Sequence, residues 1–219
     1  MPRKPQQQRS KATVDAIIEA GFICVAEHGF EGTTTRHIAN LAGIGVGTLY
    51  EYFANKQAIY KVMYERAVKD VVAMIEPLTP RLVQLPIRDG VKLLLAEFRD
   101  LLLRHDGRYL KFAALAGQAP QHYDLESLNE LEPVTKILGD VSLQYLMHHP
   151  ELMRMKNIPV MTYIVINGGM FTMIRHLGEK HPPMTFEQLS DGLADMISHV
   201  VDGELRKADA AQQHGGVTP

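Results

Sequence analysis

Apolar residues recur along this chain at helical spacing from one end to the other, and no segment alternates with the period of a strand. Val14, Ile17, Ile18, Gly21 and Val25 form the stripe of a helix predicted from about Lys11 to His28, with Gly29 and Gly32 around the turn that ends it. A second, short helix follows Thr34 and stops near Gly43, and a third spans roughly Val46 to Phe53. Asn55 is a good N-cap for a fourth, which reaches about Glu76 before Pro77 and Pro80. Val91, Leu94, Leu95, Phe98, Leu101, Leu102 and His105 mark a fifth from about Ile87, and a shorter one lies near Arg108 to Ala116. Ser127 and Glu130 make a capping box for a helix reaching about Met147. Another lies between Pro159 and Leu177, and Thr185 with Gln188 caps the last, which extends to about Lys207. The fold class is all-α, with residues 1–9 and 208–219 expected as flexible tails.

Residues 34–53 have the shape of two short helices joined by a glycine-bearing turn, a unit that can lay one helix into the major groove of DNA. At 100° per residue, Val46, Leu49, Tyr50 and Phe53 cluster on one side of the third helix, while Gly47, Thr48, Glu51 and Tyr52 face away. So short a helix is not stable alone, and Ile38 with Leu41 or Ala42 is the natural clamp for its apolar side. Gly47 costs about 1 kcal/mol relative to alanine within a helix, which suggests that another backbone must come close. Thr34 and Thr35 stand where hydroxyls and free N–H groups suit a phosphate. Lys56, in the first turn of the fourth helix, opposes the local dipole unless an anion arrives.

At these residues the sequence resembles the TetR family of bacterial transcriptional regulators. The resemblance is carried by Thr35, Ile38-Ala39, Ala42-Gly43, Gly47-Thr48-Leu49-Tyr50, Tyr52-Phe53 and Lys56, and it covers about residues 10–70. It implies an all-helical homodimer of about nine helices, with a three-helix DNA-binding head and a body, residues 71–207, that binds a small-molecule effector. It also implies that Thr35, Tyr50 and Lys56 contact phosphate, that Gly47 and Thr48 approach base edges, and that Tyr52 touches phosphate or sugar. Thr34, Arg36, Gly45, Val46 and Glu51 complete the expected DNA face. Two of them depart from the family pattern. Gly45 replaces a capping serine or threonine and Val46 stands where lysine or arginine is common, so two phosphate contacts are lost. Glu51 points outward, either to accept from cytosine N4 or to repel the backbone. The basic residues Arg3, Lys4, Arg9 and Lys11 form an arm that reaches DNA or a solvated tail.

Charge adds modest support. The chain carries 23 Lys/Arg against 25 Asp/Glu, but residues 1–66 hold eight basic and six acidic residues, so the head is +2 and the remainder −4. The single cysteine, Cys24, excludes an intramolecular disulfide and a Cys-based zinc site, and its apolar neighbours make it a core thiol. His105, His122, His148 and His149 lack metal-ligand spacing, so no metal or other cofactor is expected. No nucleophile–base pair or phosphate loop stands out, and the chain is not read as an enzyme. The N-terminus lacks the apolar core of a secretory signal, and the apolar stretch Ile158–Ile174 reads as a buried helix rather than a membrane span. A cytoplasmic location follows.

Ten of the eleven methionines lie from Met63 onward, in keeping with either an adaptable cavity or an ordinary core. Phe98, Leu102, His105, Phe112, Met147, Tyr163 and Asn167 are the candidates for an effector pocket, and Asn167 needs a partner if it is buried. Gly168, Gly169, Leu189, Leu193, Met196, Ile197 and Val200 are the candidates for a four-helix dimer interface. The expectation is a ligand-responsive regulator on a near-palindromic duplex site, most simply a repressor. A dimeric ligand-binding module without DNA, or an enzyme acting on the bound ligand, is the alternative.

Overall fold

The computed structural model describes residues 4–118 and 132–214, and among these all regular structure is helical. The chain forms two compact units, Met1–Asp70 with Leu102–Glu130 and Val71–Leu101 with Leu131–Pro219. The capping box expected at Ser127 and Glu130, and His122, lie outside the described residues.

In the first unit, α1 (Lys4–Gly32) carries Ile17, Ile18, Phe22 and Val25 into the core, each at most 1% exposed. It starts inside the stretch expected as a tail, because nothing between Lys4 and Lys11 breaks a helix once Pro5 occupies its first turn. Its regular part ends at Gly29 (φ 69°), as the sequence suggested. Thr33 closes that turn by donating from both its backbone N–H and its hydroxyl to the Gly29 carbonyl, at 3.2 and 2.7 Å. Helix α2 (Thr35–Leu41) is capped by the Thr34 hydroxyl, which accepts from the His37 N–H. A turn through Gly43 (φ 70°), a left-handed position that suits glycine, leads into α3 (Val46–Tyr52). Helix α4 (Lys56–Ile75) begins under Asn55, whose side chain accepts from Ala58 N–H at 2.9 Å. Gly21 lets α4 come close: a Cβ there would lie 2.7 Å from the Met63 sulfur.

After α5 (Thr79–Leu82), α6 runs from Ile87 to Gln118 but is broken at Arg104–Gly107, where His105, Asp106 and Gly107 have φ of 51°, 60° and 69°. The break falls where the sequence placed the end of its fifth helix. The segment after it belongs to the first unit, not to the body as the sequence reading had it, because its aromatic face completes the head's core. Phe22 packs against Tyr109 and Phe112 with ring centroids 5.0 and 5.2 Å apart, and Phe30 against Phe112 and Tyr60 at 5.4 and 5.1 Å. Arg108 pairs with Glu19, and the Tyr109 hydroxyl donates to Asp70 at 2.5 Å. Burial, with Asp70 beside it, raises the Tyr109 pKa.

In the second unit, α7 (Glu132–His148) and α9 (Phe186–His214) pack against α8 (Ile158–Gly178). Thr185 and Gln188 form the expected reciprocal cap of α9, which continues past Lys207 to His214. Arg88 and Lys92 of α6 hold Asp191 and Asp195 of α9, and the hydrogen bond from Lys92 keeps the Asp191 carboxyl below its ordinary range. The expectation of a buried α8 is corrected. Val160, Tyr163, Ile164 and Phe171 are 57–66% exposed, since one side of the helix packs on α7 and α9 while no described element covers the other. By length and mean hydropathy (1.2) α8 meets the size requirement of a membrane span.

Candidate nucleic-acid interface and ligand cavity

Helix α3 is seven residues long and owes its position to its inner side. Leu49 is fully buried and Phe53 nearly so, against Ile38 and Ala39 of α2, both 0% exposed. Between the two clamps the sequence allowed, the structure selects Ala42, which packs on the core, whereas Leu41 is 49% exposed. The outward face shows Gly47 and Glu51 exposed and Thr48 half-buried; a Cβ on Gly47 would meet nothing within 4 Å. Gly45 serves as N-cap with no side-chain hydrogen bond, so the first turn of α3 leaves backbone N–H groups unpartnered by a cap.

Two sequence assignments on this face change. Tyr50, placed on the inner side by its angle, is 52% exposed, and its hydroxyl lies 3.2 Å from that of Thr35. The two hydroxyls therefore form one polar point at the seam of α2 and α3. Tyr52, placed outward, is half-buried and packs with Val46 against the core, because a seven-residue helix with a wide apolar arc leaves only a narrow solvent face.

Lys56 has a different setting from the one its helix position suggested. Its ammonium donates to the carbonyls of Phe30 and Thr33, at 3.2 and 3.4 Å, across the end of α1. There the positive charge favours the α1 C-terminus, and it anchors the loop that presents Thr34 and Thr35. Tyr60 donates to the same Phe30 carbonyl at 3.0 Å, and burial pushes its phenol pKa up to about 12. Arg9, Lys11 and Arg36 are exposed. Sequence reasoning missed the lysine's structural bonds because nothing local signals a partner 23 or 26 residues away.

The second unit holds two adjoining cavities of about 270 and about 460 Å³, both open to the surface, where the lining residues Ile164 and Met196 are 61% and 53% exposed. Val91, Leu94, Leu138, Ile164, Met196 and Ile197 line both. Phe98 and Gly168 line the smaller; Tyr145, Met155, Met161 and Val200 the larger. The polar groups at the larger wall are largely satisfied within the protein. Ser142 donates to the Leu138 carbonyl at 2.8 Å and Tyr145 to that of Leu85 at 3.1 Å. The space is hydrocarbon-walled.

Of the seven pocket candidates, Phe98 alone lines either of these two cavities. Leu102 is buried in the first unit, His105 sits in the α6 break, and Phe112 belongs to the head's aromatic core. Met147 and Tyr163 are 71% and 66% exposed. Asn167 is half-buried and satisfies itself on its own helix, donating to the Tyr163 carbonyl at 2.8 Å. These misses share a cause. Helical periodicity shows which residues are apolar-facing, but the choice between core, cavity and open surface depends on the packing partner. Of the interface candidates, Met196 and Val200 are exposed, Leu189, Leu193 and Ile197 half-buried, and Gly168 and Gly169 border open space. Among the described residues, no group of three or more His, Cys, Asp or Glu side chains is placed to hold a metal.

Residues 17–63, from the middle of α1 through α2 and α3 into α4, match the sequence model of the bacterial regulatory proteins of the tetR family. A helix-turn-helix-type transcriptional regulator of Staphylococcus aureus is 29% identical over 104 residues, which are 46% of this chain and 54% of that protein. Another such regulator, from Bacillus subtilis, is 31% identical over 55 residues, 25% of this chain and 29% of its own length. The chain thus spans about half or less of the length of these relatives. Among solved structures, a TetR-family regulator of Mesorhizobium loti superposes with a TM-score of 0.66 at 18% identity, over 88% of this chain and 96% of that one. The fatty acid degradation regulator FadR of Bacillus halodurans gives 0.65 at 17% identity, over 90% and 96%. FadR of Bacillus subtilis, solved with stearoyl-CoA, gives 0.51 at 18%, over 84% and 96%. At these identities the structural likeness speaks for the fold. Head sequence and fold point the same way: residues 17–63 match the tetR family model, and the chain has the fold of TetR-family regulators.

Proposed function

We propose that this protein is a DNA-binding transcriptional regulator, most simply a repressor that a small apolar effector releases from its operator. The observation that carries the reading is the outward face of α3, open at Gly47, Thr48 and Glu51 and fixed from behind by Leu49 and Phe53. A rigid, short helix with a small-residue face fits a major groove. The hydroxyl pair Thr35–Tyr50 flanks it as a phosphate contact, with Thr34 and Arg36 beside it. Lys56 acts on this face through the loop it anchors.

The effector site is the pair of cavities in the second unit, and their hydrocarbon walls favour a ligand with an aliphatic body. That one regulator of similar fold is a fatty acid degradation regulator, and another was solved in complex with stearoyl-CoA, is in keeping with such a ligand. The uncovered side of α8, together with Met196 and Val200 of α9, fits a second copy of the chain, forming a four-helix interface at which the open space beside Gly168 and Gly169 admits a neighbouring backbone. Such a dimer carries two heads to a near-palindromic site, in successive major grooves about 34–36 Å apart. It also accounts for the apolarity of α8 in a soluble cytoplasmic protein that is neither membrane-bound nor an enzyme.

Titration of the full chain on its own upstream DNA and on random duplex, at several salt concentrations, tests the reading. Specific binding with a steep salt dependence is expected. Equal affinity for the two duplexes would sink it. Addition of a long-chain acyl compound is expected to weaken operator binding by about 5–150-fold.

A further inference from the structure

We infer that Glu51 reads a base, accepting a hydrogen bond from the N4 amino group of a cytosine in each half-site; this rests on the DNA-binding function proposed above. Glu51 is the only charged residue of α3. It lies one turn beyond Gly47 on the same exposed face, while Leu49 between them is fully buried. Among the described residues, its carboxylate has no hydrogen bond or ion pair. Three other acids of this unit are committed: Asp15 to Arg66, Glu19 to Arg108, Asp70 to Tyr109.

An uncommitted carboxylate on the face turned to a polyanion is repelled by the phosphates that line the groove. The groove floor is chemically different. A carboxylate only accepts hydrogen bonds, so the acceptor edges of guanine (O6, N7) and thymine (O4) reject it. Adenine offers its N6 amino group beside the N7 acceptor, which opposes a second negative oxygen. Cytosine offers an amino donor without that adjacent acceptor, and is the base that fits. Gly47 makes the approach possible: with no Cβ, and open space where one would stand, the backbone one turn earlier can sit close to the groove floor and bring Glu51 within reach. The same carboxylate that weakens non-specific adhesion thereby sharpens the choice of sequence.

Selection from randomised duplexes by the full chain, followed by shift titrations, tests this with wild type, Glu51→Gln and Glu51→Ala, each first checked for native helicity by circular dichroism. The wild type is expected to select one C·G pair per half-site and to lose about 5–150-fold in affinity when that pair is replaced. Glu51→Gln should shift the preference at that pair toward adenine, whose N6 and N7 a glutamine amide matches, and Glu51→Ala should abolish it with the rest of the site unchanged. An alanine variant that binds every duplex more tightly with an unaltered base profile overturns the inference, leaving Glu51 as a repulsive charge. An alanine variant unchanged in both respects overturns it as well. A wild type with no sequence preference overturns the DNA-binding reading itself, an outcome distinct from the other two because in those the wild type still selects a site.

Discussion

The head and the body are built from similar apolar residues yet finish in opposite states. Of the eleven largest fully buried side chains among the described residues, nine lie in the first unit (Phe22, Ile17, Ile18, Ile38, Leu49, Ile59, Met63, Val25 and Thr33), although the second unit is larger. Only Ile75 and Met173 of that set belong to the second. The head closes on itself: three helices from one end of the chain, α4, and an aromatic segment supplied after the α6 break. The body keeps two cavities and an uncovered apolar helix side. A unit that must present a seven-residue helix in one fixed place cannot have slack behind it, because packing errors there move the reading face. On the proposed function the body admits a ligand and a second subunit, and a unit that does so has to leave apolar surface unfilled.

The largest test of this contrast is truncation. Phe112→Ala, in the aromatic core, is expected to cost about 3–5 kcal/mol, whereas Met147→Ala, at a side chain 71% exposed in the body, should stay within about 0.5 kcal/mol. Urea denaturation followed by circular dichroism measures both. Comparable losses would erase the distinction between the units.

Alkaline titration probes the head more gently. Burial favours the neutral phenol of Tyr60, so its contribution is fully present below the ordinary pKa of 10 and is lost as pH rises through about 12. The Tyr60 share of that loss should be on the order of 2 kcal/mol between pH 10 and 12, and Tyr60→Phe should make the decline shallower by about that amount, the remainder coming from Tyr109, whose pKa burial also raises. A parallel decline in the variant would assign the pH dependence to other groups.

Enlargement is the reverse of truncation. Ile38→Phe overfills a closed core and should destabilise by about 1–3 kcal/mol. Leu94→Phe projects into the cavities and is expected to cost less than about 1 kcal/mol while blunting the response to an effector. If thermal melts show Leu94→Phe to be the costlier change, the body's core is as closed as the head's.

The smallest expected effect separates support from contact at Lys56. Lys56→Met removes donations to Phe30 and Thr33 and should cost about 1 kcal/mol of stability, with the salt dependence of DNA binding unaltered. A salt slope reduced by about 1 would instead show the lysine reaching a phosphate, as the family resemblance implies.

Much of the head was legible in advance because its signals are local. The break at Gly29, the caps at Thr34 and Asn55, the turn at Gly43 and the buried positions Ile38, Leu49 and Phe53 all follow from spacing and residue type within a few positions. The α6 break and the Thr185–Gln188 cap were legible for the same reason. The body's site was not. Phe98 and Phe112 both read as inward-facing aromatics on helical stripes, yet one lines a cavity and the other fills the head's core, because the chain turns left-handed between them at His105–Gly107. Met147 and Tyr163 read as apolar-facing and stand exposed, since no described helix covers them.

The sequence by itself determined the helices, their caps and turns, the small-residue face at Gly47–Thr48 and the lone acid Glu51 beside it. These depend on backbone preferences and on contacts within one or two helical turns, which are written in neighbouring residues. Only the tertiary structure decided that Thr35 and Tyr50 share a hydroxyl contact, that Lys56 closes the end of α1, that the aromatic segment after the α6 break completes the head, and where the body stays hollow. Those outcomes rest on pairs separated by 15 to about 90 residues, and the free energy that selects among apolar partners so distant is non-directional burial, which no periodicity records.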